Sequence, residues 1–136
     1  MREIKNIVVH CSGTPSNTTI ESIKNYWKVV KEWDTVGYHA IIDADGLITP
    51  LLAHDQVSNG VRGHNANSVH VCYIGGKVGK DETIDTRTES QKKSLEIVLK
   101  HWKIKYPTAQ ILGHRDFAGV TKTCPNFDAK NEYSYL

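Results

Sequence analysis

The stretch Ile4-Lys5-Asn6-Ile7-Val8-Val9-His10, closed by the turn formers Ser12-Gly13-Thr14-Pro15-Ser16-Asn17, decides the fold of this chain. A short apolar run rich in β-branched residues reads as a largely buried strand, and the glycine and proline that follow stop it. Helices supply the cover such a strand needs. Thr18-Thr19-Ile20-Glu21 reads as a capping box that opens a helix with Ile20, Ile23, Trp27 and Val30 on one apolar stripe. Thr88-Glu89-Ser90-Gln91 opens a second helix, with Leu95, Val98, Leu99 and Trp102 on its stripe, and this one ends before Pro107.

Further strands lie between and after the helices. Tyr38 to Ile42 and Leu47 to Leu51 flank Asp43-Ala44-Asp45-Gly46, a hairpin whose Asp-Gly pair supplies the tight turn. A loop rich in Gly, Asn and Ser runs from Asp55 to Ser68, Val69 to Ile74 is a strand ended by Gly75-Gly76, and the polar segment to Arg87 is an exposed loop. Gln110 to Gly113 is a short last strand that delivers His114 to a loop. Interleaved strands and helices of this kind imply an α/β fold with a mixed central sheet flanked by helices. At 136 residues the whole chain, 1–136, is expected to form a single domain.

Composition narrows the partners. The formal net charge is only +2, with both signs interspersed, which argues against nucleic acid as the main partner. No window approaches the length of a membrane span, and Met1-Arg2-Glu3-Ile4-Lys5 has no apolar signal-peptide core, so synthesis in the cytoplasm without a signal peptide is expected. Three cysteines cannot all pair, and Cys11, Cys72 and Cys124 form no Cys-x-x-Cys motif, which suits a reducing compartment. Cys72, inside Val71-Cys72-Tyr73-Ile74, reads as a buried structural thiol. Cys124 sits between Thr123 and Pro125 among polar and turn residues, where burial for its own sake is harder to justify.

Two imidazoles and that thiol make a candidate metal site. His10 ends the first strand and His114 follows the last. If those strands are neighbours, both imidazoles meet at one end of the sheet, and the loop from Arg115 to Thr123 can fold back to bring Cys124 to them. His10 and Cys11 point to opposite faces of a regular strand, so only one of the two can serve the same ion. A zinc ion held by His10, His114 and Cys124 would keep a fourth position open, the mark of a hydrolytic catalyst rather than a structural staple.

The motifs Val9-His10-Cys11-Ser12, Gly37-Tyr38-His39-Ala40-Ile41-Ile42, Asn65-Ala66-Asn67-Ser68, Gly75-Gly76, Gly113-His114-Arg115-Asp116 and Lys122-Thr123-Cys124-Pro125 occur in one order along the chain. In that order they resemble the type 2 N-acetylmuramoyl-L-alanine amidases, a family that includes amidase-type phage lysozymes and is related to peptidoglycan recognition proteins. The resemblance runs from about Ile4 to Asp128. It implies a zinc ion on His10, His114 and Cys124, catalytic roles for Tyr38 and Lys122, and peptidoglycan as substrate. The bond cut would be the amide between the lactyl group of N-acetylmuramic acid and L-alanine of the stem peptide.

Chemically, Lys122 suits stabilisation of a developing oxyanion, and Tyr38 suits orientation of the attacking water and exchange of its proton. Without the resemblance, Tyr38 reads as a strand aromatic with its hydroxyl at the surface. For substrate contacts the candidates are His64 and Arg62 on the polar loop, with Asn67 from the Asn-rich motif; Arg62 carries a guanidinium fork suited to a stem-peptide carboxylate. His64 also reads as a solvated loop residue. The family often carries a histidine earlier in this loop, where this chain has Asn59-Gly60-Val61-Arg62. Asp116 is open to two readings, partner of a ligand imidazole or cap of its own loop. By alternation His39 faces away from Tyr38 and stays outside the site, and His54, His70 and His101 read as structural.

The alternatives are a recognition module that binds peptidoglycan without cutting it, for which the thiol of Cys124 is the discriminating feature, and an intracellular regulatory binding protein. A monomer is expected. Action on the bacterial cell wall would follow permeabilisation of the membrane, as for a phage endolysin.

Overall fold

The computed structural model describes residues 2–136. Its centre is a five-stranded sheet in the order β3-β2-β4-β1-β5, built from β1 (Asn6–Cys11), β2 (Ala40–Ile42), β3 (Ile48–Pro50), β4 (Ser68–Tyr73) and β5 (Gln110–Gly113). β1 lies between β4 and β5 and is parallel to both, β2 is parallel to β4, and only the edge strand β3 runs antiparallel. The expected mixed α/β sheet is therefore present, and the first and last strands are neighbours. Four strands end on the same edge.

Alternation divides the sheet into two apolar faces. On one, Ile7, Val9, Val69, Val71 and Tyr73 pack under Leu95, Val98 and Leu99 of α2 (Glu89–Lys105). On the other, Ile41, Cys72 and Ile74 meet Ile23 and Trp27, while Val8 and Leu112 meet Val61 and Phe117. Cys72 is a fully buried structural thiol, in keeping with its apolar sequence neighbours.

The first helix departs from the sequence reading at both ends. α1 (Ile20–Asn25) is capped by Thr19, whose side chain accepts from Ser22 N at 3.1 Å, and not by a Thr18–Glu21 box. Thr18 is committed to the preceding turn, where its N–H donates to Pro15 O. Beyond Asn25 the chain widens into a π turn over Tyr26–Val30, with Lys31 N donating to Tyr26 O. The wider turn rotates the stripe, so Ile23 and Trp27 stay buried while Val30 is 65% exposed.

α2 follows its sequence signature. The Thr88–Gln91 capping box is complete, and Thr88 Oγ1 donates to Ala44 O. Gln91 does more than cap the helix. It is fully buried, and its Nε2 donates to Ile74 O at 2.9 Å and to Ile42 O at 3.4 Å. One side chain thus caps the helix and ties it to the ends of β2 and β4. A short α3 (Ala129–Glu132), too brief to show periodicity, follows near the C-terminus. The segment before α2 is largely exposed, as expected, but Arg87 is not. Its guanidinium lies 3.4 Å from the centroid of the Phe127 ring and pairs with Asp85 at 3.0 Å and Glu132 at 2.7 Å, fastening that segment to α3. No helix among the described residues is long and apolar enough to cross a membrane.

Replacing Gln91 by Ala is expected to lower unfolding free energy by about 2–3 kcal/mol, since it leaves buried carbonyls and a cap N–H without partners. A urea midpoint unchanged from the parent would show that the amide is dispensable.

Two internal imidazoles make stability pH-dependent. Burial, reinforced by the neighbouring charges of His39, His114 and Arg2, holds His70 down to about 3. Burial and Lys105 hold half-buried His54 down to about 4. In the unfolded chain both protonate near pH 6.5, so the unfolded state binds more protons below that pH. Their contribution is complete above pH 6.5 and is lost as pH falls toward those depressed values. For the protein stripped of divalent ions, a loss of about 2 kcal/mol from His70 alone is expected at pH 5 relative to pH 7.5. Urea melts at the two pH values measure it.

Candidate metal centre

The parallel edge places the donors. His10 is the penultimate residue of β1 and is 1% exposed, and His114 begins the 3-10 turn (His114–Asp116) that leaves β5. Adjacency of the two strands puts their ring centroids 5.0 Å apart. The chain then returns: Arg115 N donates to Cys124 O at 2.9 Å, which closes the loop that carries the thiol. Cys124 Sγ lies 3.9 Å from His10 Nδ1 and accepts from Cys11 N at 3.2 Å. One donor atom each from His10, His114 and Cys124 fall within 4.8 Å of one another. Zinc in tetrahedral geometry needs separations of about 3.3–3.6 Å between such donors, so a small inward movement suffices, and the N,N,S set suits that ion.

Several contacts hold the Cys124 loop. A Cβ at Gly113 would lie 2.7 Å from Pro125 Cδ, so the glycine lets the proline pack against the strand end. Asn126, at φ 69°, sends its amide to the carbonyls of Gly76, Glu82 and Ile84 at 3.0, 3.1 and 3.0 Å, while its Oδ1 accepts from Thr123. Asp116 resolves to the loop-cap reading: its Oδ2 accepts from Gly113 N at 2.8 Å. The Cys11 side chain joins the α2 face of the sheet, as strand alternation required.

Electrostatics keep the two imidazoles, though not the thiol, in the form that ligates. Burial, then the charges of His70, His114 and Lys122, hold His10 well below its ordinary range. Burial and Lys122 lower His114 as well. Both rings are therefore neutral at pH 7, the form that ligates. The hydrogen bond with the Cys11 thiol, followed by burial, pushes Cys124 up, so a cation entering the site must displace its proton.

Tyr38 and Lys122 flank this group. The Tyr38 ring is 4.9 Å from His10 and packs edge-on against Trp27 at 5.4 Å. Burial, then the neighbouring cysteines, push its phenol well up, so it keeps its proton. Lys122 is exposed, and close enough for its charge to oppose protonation of both histidines of the group.

Strand alternation does not govern His39. β2 begins only at Ala40, so Tyr38 and His39 lie in irregular chain and their directions are not set by the pleat. His39 does not touch the donor group, but its ring lies 6.0 Å from that of His70 and nearly parallel to it, and its Nδ1 accepts from His70 N at 3.1 Å. His70, read from the sequence as merely structural, has Nδ1 2.8 Å from His10 Nε2. No motif marks it. The signal lies in the register, since Val8 pairs with His70 and His10 with Cys72, which puts the two imidazoles on one face of adjacent strands.

The substrate candidates separate. His64 is exposed and its ring packs against Phe117 at 4.6 Å, just beyond the His114 turn. Arg62 is exposed on the same loop. Asn67 is not brought to the site: it precedes β4 at the opposite edge of the sheet, where its Nδ2 donates to Glu3 O and its carbonyl accepts from Lys5 N. Its motif serves the entry into β4. His54 bonds the Tyr106 hydroxyl at 2.9 Å on the α2 side, away from the donors.

The family model for N-acetylmuramoyl-L-alanine amidase matches residues 1–127. The chain is 35% identical over 131 residues to the endolysin of Klebsiella phage KP32, covering 95% of this chain and 85% of that protein. It is 36% identical over 126 residues to the endolysin of Escherichia phage T7, covering 91% and 82%. Among solved structures, the Ph2119 endolysin from a Thermus scotoductus MAT2119 bacteriophage superposes with a TM-score of 0.83 at 21% identity, covering 99% of this chain and 85% of that one. Bumblebee PGRP-SA superposes with a TM-score of 0.78 at 16% identity, covering 98% and 82%, a likeness of fold. A family match over residues 1–127, with relatives 35–36% identical over nearly the whole length, places this chain in the N-acetylmuramoyl-L-alanine amidase family.

Proposed function

We propose that this protein is a zinc-dependent endolysin-type amidase that hydrolyses the amide between N-acetylmuramic acid and L-alanine in bacterial peptidoglycan. The convergence of His10, His114 and Cys124 donors within 4.8 Å, beside a phenol and an ammonium, carries the reading. His10, His114 and Cys124 would hold the zinc ion, whose Lewis acidity polarises an amide carbonyl and acidifies water.

The remaining roles belong to the chain. Lys122, exposed at the mouth of the site, neutralises the negative charge that develops on the carbonyl oxygen during attack. Tyr38 keeps its proton, so its hydroxyl both donates and accepts, which suits it to orient the water and to pass a proton toward the departing amine. The neutral state of His10 and His114 keeps them available as ligands at physiological pH. Arg62 and His64, on the exposed loop, contact the stem peptide, with Arg62 facing a carboxylate. The cell wall is the place of action, consistent with the endolysin names of the relatives.

Incubation with defined muropeptides, with and without a chelator, tests the reading by mass spectrometry. Stem peptide with a free N-terminal alanine, formed only without chelator, is the expected product. Glycan cleavage, or binding without products, overturns it. In the same assay Lys122→Ala should retain zinc and lose about 100- to 1,000-fold in turnover. Cys124→Ser should lose zinc on dialysis, because a hydroxyl is a far poorer ligand than a thiolate.

A further inference from the structure

We infer that His70 is a positioning residue: it holds His10 in the tautomer and orientation that present Nδ1 to the metal, an assignment that rests on the zinc reading above. His10 aims Nδ1 at the group, 3.9 Å from Cys124 Sγ, and gives its other nitrogen, Nε2, to His70 Nδ1 at 2.8 Å. A neutral imidazole carries one proton. For Nδ1 to offer a lone pair to an ion, that proton must sit on Nε2, where it is donated to the lone pair of His70 Nδ1.

The proton of His70 is then forced onto its own Nε2. That atom is buried and has no hydrogen-bond partner among the described residues. An N–H left unpaired in the interior opposes folding, and a side chain selected only for packing would avoid it. The arrangement makes sense when Nδ1 of His70 is engaged in directing His10, in the way that ligand histidines are oriented by a partner on their second nitrogen.

The surroundings leave His70 no freedom to turn away. It is fully buried on β4, its backbone N–H donates to His39 Nδ1, and the His39 ring lies 6.0 Å off at an interplanar angle of 8°. Above it passes the loop at Gly60, where an added Cβ would overlap the His70 ring itself. Gly60 has no positive φ to account for it, so the requirement at that position is space for the imidazole. Strand, loop and stacked ring together clamp the acceptor against His10.

The test uses the full-length protein with His70→Asn, whose amide oxygen can occupy the place of Nδ1, and His70→Leu, which fills space without an acceptor. Zinc dissociation constants from competition with a chromophoric chelator should rise roughly 10- to 100-fold in His70→Leu and return to within about threefold of the parent in His70→Asn. Long-range proton–nitrogen NMR of the metal-free parent should show His10 as the Nε2–H tautomer, and His70→Leu should show a mixture. A parent His10 protonated on Nδ1, or equal zinc affinity in parent and His70→Leu, or no recovery in His70→Asn, overturns the assignment. The tautomer is read without metal, so a parent that binds no zinc defeats the metal reading while the NMR result still decides the geometry. If His70→Leu fails to fold, the parent spectrum and the comparison of parent with His70→Asn remain decisive, a drop in affinity with His70→Asn counting against the assignment.

Discussion

The parallel pairing of β1 with β4 on one side and β5 on the other is the constraint on which the rest depends. Parallel neighbours end on the same edge, and loops that leave that edge are free of the ladder while their first residues remain tied to it. His10 and His114 are 104 residues apart in sequence, yet the β1–β5 ladder, which ends at Val9 and Gly113, delivers them side by side. His10 is placed by the strand itself and His114 by the turn that leaves β5 at once, while the sulfur donor relies on the returning loop. That loop is braced in turn, through Arg115, Asn126 and Pro125 packed on Gly113.

Much of this is legible in the residues, and the exceptions have physical causes. The apolar run ending in His10, the capping box at Thr88–Gln91 and the odd setting of Cys124 carry their information locally, in periodicity and turn chemistry. Val30 leaves the apolar stripe because a five-residue turn breaks the helical period that such a stripe assumes. Thr18 and Thr19 offer the same hydroxyl one residue apart, and the Pro15 turn decides between them. Tyr38 and His39 escape the alternation rule because they precede the strand. Asn67 and His70 need the register. One lies at the amino edge holding Glu3, the other directly against His10, and nothing in local spacing distinguishes those fates.

The interior of this small domain is unusually rich in imidazole. His10, His39 and His70 are all buried, and burial is the first cause that holds each below its ordinary range. Three neutral rings side by side cost stability in acid; of them only His10 belongs to the donor group, where its lowered proton affinity leaves a nitrogen lone pair free. Arg2 adds to the same economy of polar groups, fanning its guanidinium over the carbonyls of His54, Gln56 and Ser68, and so satisfying the backbone of the loop that passes over His70.

The Asn126 amide grips Gly76, Glu82 and Ile84, carbonyls 42 to 50 residues upstream, and sits two positions from the thiol it steadies. The connector after β4 looks like ornamental surface, the kind of segment in which insertions ordinarily accumulate without penalty. In this architecture it is coupled mechanically to the sulfur, so its length is a hidden parameter of the His10–His114–Cys124 group. Drift in that connector would shift the sulfur relative to His10 and His114 long before it disturbed the sheet.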